Sequence, residues 1–200
     1  MPTIRSVLSL PIVYRAFWNL LGGPKYFGIF VDEYVRPEAG ARILDIGCGP
    51  GTTPQYLPKV EYVGFDSSPE YIESARRRFP QGTFVCDKVS EYTLSQRSYF
   101  DVVLAVGIIH HLDDVEARQL FHIAHQALKP GGRLVTLDGV LTTNQSPVAR
   151  YLVSQDRGEF VRDQEGYVRI ARQSFSDVRP AIRQDLSRVP YTHIIMECIR

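Results

Sequence analysis

Five apolar runs of strand length recur along the chain with helical stretches between them: Arg42–Ile46, Glu61–Phe65, Thr83–Cys86, Phe100–Gly107 and Arg133–Val140. Short runs without polar alternation, separated by helices, predict a parallel α/β sheet covered on both faces. The helix starts are legible. Ser68-Pro69-Glu70 offers a capping hydroxyl followed by a proline suited to the first helical position, so a helix is expected to run to about Phe79 and stop before Pro80. Asp113 or Asp114 can cap the next long helix, in which Val115, Leu120, Ile123, Ala124, Ala127 and Leu128 are expected on one buried face. Lys129-Pro130-Gly131-Gly132 then predicts a turn into the next strand.

Two regions fall outside this rhythm. Ile12–Val35 is rich in aromatics (Tyr14, Phe17, Trp18, Tyr26, Phe27, Phe30) and reads as two helical pieces broken at Gly22-Gly23-Pro24. Leu141–Phe175 has helix starts at Ser146-Pro147 and Asp163, joined through Asp156-Arg157-Gly158. The tail, Val178–Leu186 and Thr192–Ile199, reads as two strands whose short connection implies an antiparallel pair at a sheet edge. The expected organisation is one domain over 1–200: a helical cover at 1–40, a core at 41–140, a helical insertion at 141–175 and a β-hairpin at 176–200.

Composition narrows the class. At 200 residues and 22.7 kDa the chain is of single-domain size, and 44% hydrophobic with 22% charged residues excludes a disordered or fibrous chain. Lysine plus arginine at 23 against aspartate plus glutamate at 22 leaves +1, so no global field gathers nucleic acid or anionic lipid. Cys48, Cys86 and Cys198 cannot all pair and sit in apolar, strand-like surroundings, which reads as three buried, reduced thiols of a cytoplasmic protein. The apolar run Val7–Val13 is short, contains Pro11 and lacks a small-x-small cleavage site, so no signal peptide is expected. No stretch is long enough to span a bilayer, and Arg15 with Asn19 makes too thin a polar face for stable membrane association.

The chemistry concentrates in Ile43-Leu44-Asp45-Ile46-Gly47-Cys48-Gly49-Pro50-Gly51, a buried strand ending in glycines and leading into a helix expected to be capped at Thr53-Pro54. Glycines let the backbone approach a ligand, and the turn after the first strand is where a doubly wound sheet binds nucleotides. Asp66 ends the next strand, where a carboxylate can accept bonds from both ribose hydroxyls, so the pair indicates an adenosine-type cofactor. A dinucleotide fingerprint reads G-x-G-x-x-G, and here the third glycine comes one place early.

These residues resemble the first motif of the class I S-adenosylmethionine-dependent methyltransferases, and the resemblance continues in order over roughly residues 36–140. Asp66 matches the ribose-binding acid, Cys86-Asp87 the pair that contacts adenine after the third strand, and Phe100–Gly107 the fourth strand. His110-His111-Leu112-Asp113-Asp114 and Leu128–Leu134 match the loop and turn that follow. The resemblance implies a Rossmann-like, doubly wound, seven-stranded, mostly parallel sheet with the last strand antiparallel and helices on both faces. It also implies S-adenosylmethionine as donor, S-adenosylhomocysteine as product, and a cofactor site drawn from Tyr14, Asp45, Gly47, Cys48, Gly49, Asp66, Ser67, Cys86, Asp87, Lys88, Ala105, Val106 and Gly107. One departure stands out. Between Gly51 and Glu61 the chain has room only for a short helix bracketed by Pro54 and Pro58, where the family usually has a longer one.

The donor's sulfonium is already activated, so the protein mainly aligns a nucleophile with the methyl and excludes water. A hydroxyl nucleophile needs a base, and His110, His111 and Asp138 stand at strand ends on the cofactor side; His110 is the expected catalytic residue. A histidine here also commonly shapes the loop in the family. Adjacent residues diverge on a loop, so His110, His111, Asp113 and Asp114 are not expected to bind metal. Tyr14 and Tyr26 cover the methionine end of the cofactor or belong to the core. Arg150, Arg157 and Arg162, interleaved with Asp156, Glu159 and Asp163, read as a mixed solvated face.

The expected function is methyl transfer to an oxygen or nitrogen of a small-molecule acceptor by a monomer or homodimer, with acceptor choice set by residues 1–40 and 141–175. Gly107-Ile108-Ile109-His110 stands where base-methylating relatives carry Asn/Asp-Pro-Pro-Tyr/Phe, so no nucleic-acid partner is expected. A catalytically silent adenosyl-binding scaffold and a nicotinamide dehydrogenase remain the alternatives.

Overall fold

The computed structural model describes residues 23–154 and 158–200, with side chains from Tyr26 onward. Its elements are α1 (Gly23–Phe30), β1 (Arg42–Ile46), β2 (Glu61–Asp66), α2 (Pro69–Arg78), β3 (Thr83–Cys86), β4 (Phe100–Val106), α3 (Asp114–Ala127), β5 (Leu128–Gly139), α4 (Pro147–Ser154), α5 (Gln164–Ala171), β6 (Asp177–Arg183) and β7 (His193–Ile199). The strands form a seven-stranded sheet in the order β3-β2-β1-β4-β5-β7-β6, parallel except for β7, which runs antiparallel to both its neighbours. That is the topology expected from the sequence.

The sheet separates two packed layers. On one face α3 and α5 bury Leu120, Phe121, Ile123, Tyr167 and Ile170 against Leu44, Ile46, Val103 and Leu134. On the other, Tyr26, Phe27 and Phe30 of α1 and Ile72 and Ala75 of α2 cover Ile43, Tyr62, Leu104 and Val135. Burying a leucine, isoleucine or phenylalanine side chain contributes about 1.5–3 kcal/mol each, so these apolar stripes fix both helix layers on the sheet. Tyr26 is therefore a core residue, edge-on to the Phe27 ring and tilted against that of His193.

Several caps are as read from the sequence. Ser68 Oγ accepts from Tyr71 N at the start of α2, Asp113 Oδ1 from Val115 N and Glu116 N before α3, and Asp163 Oδ1 from Gly166 N before α5. Ser146 Oγ accepts from Ala149 N before α4.

Four expectations fail for physical reasons. Val115 is 67% exposed, because it lies in the first turn of α3, beyond the sheet; Ala117 and Phe121 are buried on that helix. Lys129-Pro130-Gly131-Gly132 is no separate turn. It lies within β5, where the register against β4 jumps from Phe100↔Leu128 to Val102↔Arg133 and Gly131 and Gly132 exchange backbone bonds with Arg200. The expected helix after the glycine segment is a single 3₁₀ turn, Thr53–Tyr56, whose preceding residue Thr52 makes no side-chain cap bond. Cys86 is exposed at the carboxyl end of its strand, while Cys48 and Cys198 are buried.

No helix among the described residues is long and apolar enough to cross a membrane.

Candidate active site

Parallel register brings the strand ends level. Ile46 of β1 sits opposite Phe65 of β2 and Ala105 of β4, Asp66 opposite Cys86, and Val106 opposite Leu137. Residues 47–51, 66–67, 86–88, 105–107 and 138–139 thus collect at one edge, the carboxyl ends of the parallel strands, where an open α/β sheet binds its ligand.

The glycine turn is built from the backbone. Gly47, Gly49 and Gly51 hold φ of +72°, +54° and +72°, and the N–H groups of Gly47 and Cys48 both donate to Phe65 O, at 2.8 and 3.0 Å. Asp66 closes the site. Its Oδ2 accepts from Gly49 N and its Oδ1 from Ser68 N, both at 2.9 Å. Burial pushes this carboxyl above its usual range, opposed by the N–H groups of Ser68, Gly49 and Ser67. A carboxylate has about four acceptor positions, so Asp66 keeps acceptor capacity for a ligand hydroxyl. Among the described residues, none but its chain neighbours stands within 4 Å of where a Cβ on Gly49 would be.

The remaining expected residues divide by exposure. Ser67, Cys86, Lys88 and Gly107 are exposed, and Asp87 and Val106 partly so. Asp87 N donates to Asp66 O at 3.0 Å, and Lys88 N to Asp87 Oδ1 at 2.9 Å, so the two loops are tied together. Ala105 is fully buried beneath this edge. Asp45 and Cys48 lie under the turn, 1% and 6% exposed. Tyr62 Oη donates to Asp45 Oδ2 at 2.5 Å, while Asp45 Oδ1 is buried with no hydrogen-bond partner among the described residues. Burial raises the Asp45 carboxyl to about 6, partly offset by Tyr62 and Thr53, and it raises the Cys48 thiol too, which makes that thiol a packing group. Tyr14 lies outside the described residues.

A second constellation stands across the edge. His110, in the 3₁₀ turn Ile109–His111, is buried with its Nδ1 2.7 Å from Asp138 Oδ1, and its own backbone N donates to the same oxygen at 3.2 Å. Asp138 is 2% exposed, and burial pushes its carboxyl up while the His110 imidazole pulls it down. A carboxylate on Nδ1 favours the ring tautomer that carries its proton there. His111 is exposed and its ring centroid lies 4.3 Å from that of His110.

The sequence missed what holds this histidine. Arg162, read as part of a solvated face, is a clasp with its side chain only 11% exposed. It donates to the carbonyls of Ile109 (3.2 Å), Leu112 (2.9 Å) and Phe160 (3.0 Å) and to Asp114 Oδ1. Phe160 N donates to His110 O at 3.0 Å. Gly158 lies flat on the imidazole: a Cβ there would overlap His110 Cδ2 and come within 2.6 Å of His110 O. No local pattern announces these contacts, since Arg162 and Gly158 lie about fifty positions from the turn they hold. Among the described residues no group of three or more His, Cys, Asp or Glu is arranged to hold a metal ion.

Comparison with known proteins agrees with this geometry. A family model described as "Methyltransferase domain" matches residues 43–132, which run from β1 into β5. The trans-aconitate 2-methyltransferase of Variovorax paradoxus is 35% identical over 131 residues, 58% of this chain and 48% of that one. The chain spans about half the length of the curated relatives it matches. Among solved structures, phosphoethanolamine N-methyltransferase 2 of Haemonchus contortus, in complex with phosphomonomethylethanolamine and S-adenosylhomocysteine, has a TM-score of 0.64 at 25% identity. That alignment covers 78% of this chain and 38% of the other. A TehB-like SAM-dependent methyltransferase from Corynebacterium glutamicum shares the fold, with a TM-score of 0.68 at 18% identity, over 94% of this chain and 96% of that one. A glycine turn bonded to the acid that ends β2, on a sheet of this strand order, lies in the part of the chain that is similar to methyltransferase domains, and the fold is that of S-adenosylmethionine-dependent methyltransferases.

Proposed function

We propose that the chain transfers the methyl group of S-adenosylmethionine to an oxygen or nitrogen of a small-molecule acceptor, with His110 as general base. The observation that carries the cofactor assignment is the Asp66 carboxylate, locked by Gly49 N and Ser68 N beside the open face of Gly49. Those residues fit an adenosyl group: Asp66 to accept from ribose hydroxyls, Gly47–Gly49 to let the backbone approach, and Asp87 and Lys88 to flank the base. When bound, the cofactor supplies a methyl on a positively charged sulfur, so no nucleophile from the protein is needed.

The chain's own contribution is placement and proton handling. Asp138 holds the Nδ1 proton of His110, and Nε2 takes the proton of a hydroxyl acceptor as attack proceeds, or that of an ammonium acceptor beforehand so that the neutral amine attacks. Gly158 and Phe160 close over the His110 turn and keep the imidazole in one orientation. Small-molecule acceptors are supported by relatives whose names specify trans-aconitate and phosphoethanolamine methylation. The insertion around 141–175, which reaches the base, is the region we assign to acceptor choice.

Calorimetric titration of S-adenosylhomocysteine into the full chain tests the first half. We expect saturable binding that weakens at least tenfold in Asp66→Ala. A panel of hydroxy, amine and carboxylate small molecules, scored by S-adenosylhomocysteine release, tests the second. Binding with no product from any acceptor would overturn the transferase reading and leave an adenosyl-binding scaffold.

A further inference from the structure

A doubly wound sheet ordinarily fixes the turn after its first strand with the first turn of a full helix. This chain has no such helix. Thr53–Tyr56 is one 3₁₀ turn, Thr52 provides no side-chain cap, and Pro54 has no N–H to offer.

The turn is instead held from outside by α2. Arg78, in the last turn of that helix, reaches back with Nη1 to the carbonyls of both Pro50 and Gly51, each at 2.9 Å. Its guanidinium also lies 5.1 Å from the Phe79 ring centroid, which restrains the side chain. In a trans peptide the C=O and N–H point opposite ways, so two carbonyls drawn toward one guanidinium orient both peptide planes of the turn. Gly51 itself is seated on the helix: a Cβ there would stand 3.0 Å from Ala75 Cβ and 3.1 Å from Ala75 Cα.

The other end of the same helix touches the other half of the site. Ser68 N, at its N-cap, donates to Asp66 Oδ1, and Asp66 Oδ2 accepts from Gly49 N. Arg76 anchors the helix to the sheet by donating to Phe84 O of β3. A closed circuit results, running from Gly49 through Asp66 and Ser68 along α2 to Arg78 and back to Pro50 and Gly51.

We propose that Arg78 is a positioning residue for the cofactor site, substituting for the helix that this chain lacks, and that α2 sets the spacing between the glycine turn and Asp66. The proposal rests on the reading that this turn and Asp66 hold S-adenosylmethionine.

The test is calorimetry with S-adenosylhomocysteine on the wild-type full chain, Arg78→Met, Arg78→Lys and, as a control, Arg200→Met. Arg200 also clasps a main-chain carbonyl, Leu128 O, but at the opposite edge of the sheet. We expect Arg78→Met to weaken binding at least tenfold. Lysine, with three N–H donors, should restore affinity to within about threefold of wild type. Arg200→Met should lower the unfolding midpoint yet leave affinity within twofold. Wild-type affinity in Arg78→Met, or an equal loss in Arg200→Met, would overturn the proposal. Should Arg78→Met fail to fold, Arg78→Gln carries the comparison, and binding equal to wild type in both Gln and Lys variants has the same consequence. If the wild-type chain takes up no S-adenosylhomocysteine, the cofactor reading itself fails and this proposal goes with it.

Discussion

The two sides of the cleft are braced differently. On the donor side the glycine turn, Asp66 and α2 lie within one stretch of the chain, and the bonds that shape them run between residues 17 and 28 positions apart. On the side we assign to the acceptor, His110 is held by Asp138, 28 positions away on β5, and its turn by Arg162, which reaches back 53 positions to Ile109 O. Each side uses a buried or half-buried arginine to hold main-chain carbonyls of a loop. The first set of bonds stays within residues 49–78, whereas the second spans residues 109–162. Damage should therefore separate: acceptor-side changes should impair turnover and leave cofactor binding alone.

The strongest way to break that contrast is His110→Ala. Removal of a general base typically costs about 10²–10⁴-fold in turnover, and affinity for S-adenosylhomocysteine should stay within twofold. Equal losses in both would mean that the two sides are one unit.

Arg162→Met comes next. It removes the Arg162 donor from the carbonyls of Leu112 and Phe160 and leaves Ile109 O with Leu112 N, at a cost of about 1–3 kcal/mol. The exposed Asp114 contributes little to that figure. Urea unfolding measures the loss, and turnover should fall further than the remaining stability explains.

Gly158→Ala is a subtler probe. One methyl group must push the His110 ring aside, at a cost of about 1–3 kcal/mol typical of overpacking. The expected result is at least a tenfold drop in turnover with unchanged cofactor affinity, read from paired kinetics and calorimetry.

The last effect concerns stability and pH, with no expected change in turnover. Asp45 titrates near 6 in the fold against 3.8 for an ordinary aspartate, so between those values the folded state binds the extra proton. Stability should consequently fall as pH rises from about 4 to 6, by about 3 kcal/mol at most from this group. Asp45→Asn, with the amide oxygen still able to accept from Tyr62, should flatten that part of the pH profile of the unfolding midpoint. A profile identical to wild type would show that Asp45 is ionised without penalty.

Legibility followed distance along the chain. The strand sequence β1 to β4, the caps at Ser68, Asp113 and Asp163 and the Asp66 position were all readable, because periodicity and capping are local. Val115 shows the limit: helical spacing gives an angle around the axis but not whether the sheet extends far enough to cover that turn. Lys129–Gly132 shows another, since a Pro-Gly-Gly segment that reads as a turn is drawn into β5 by pairing with Arg200. Arg162 and Arg78 were invisible for the same reason. A charged residue on a helix or loop reads as solvated unless one knows which carbonyls the fold has left nearby.

The sequence by itself thus determined the sheet, its antiparallel last strand and the glycine-and-acid pair that we assign to the donor, because each follows from apolar runs, turn residues and spacing within a few tens of positions. Only the tertiary structure decided that Asp138 would meet His110, that Gly158 would lie against the imidazole, and that Arg78 would stand in for a missing helix. Those contacts join segments whose approach is fixed by how the layers pack, and side-chain identity alone does not encode the address.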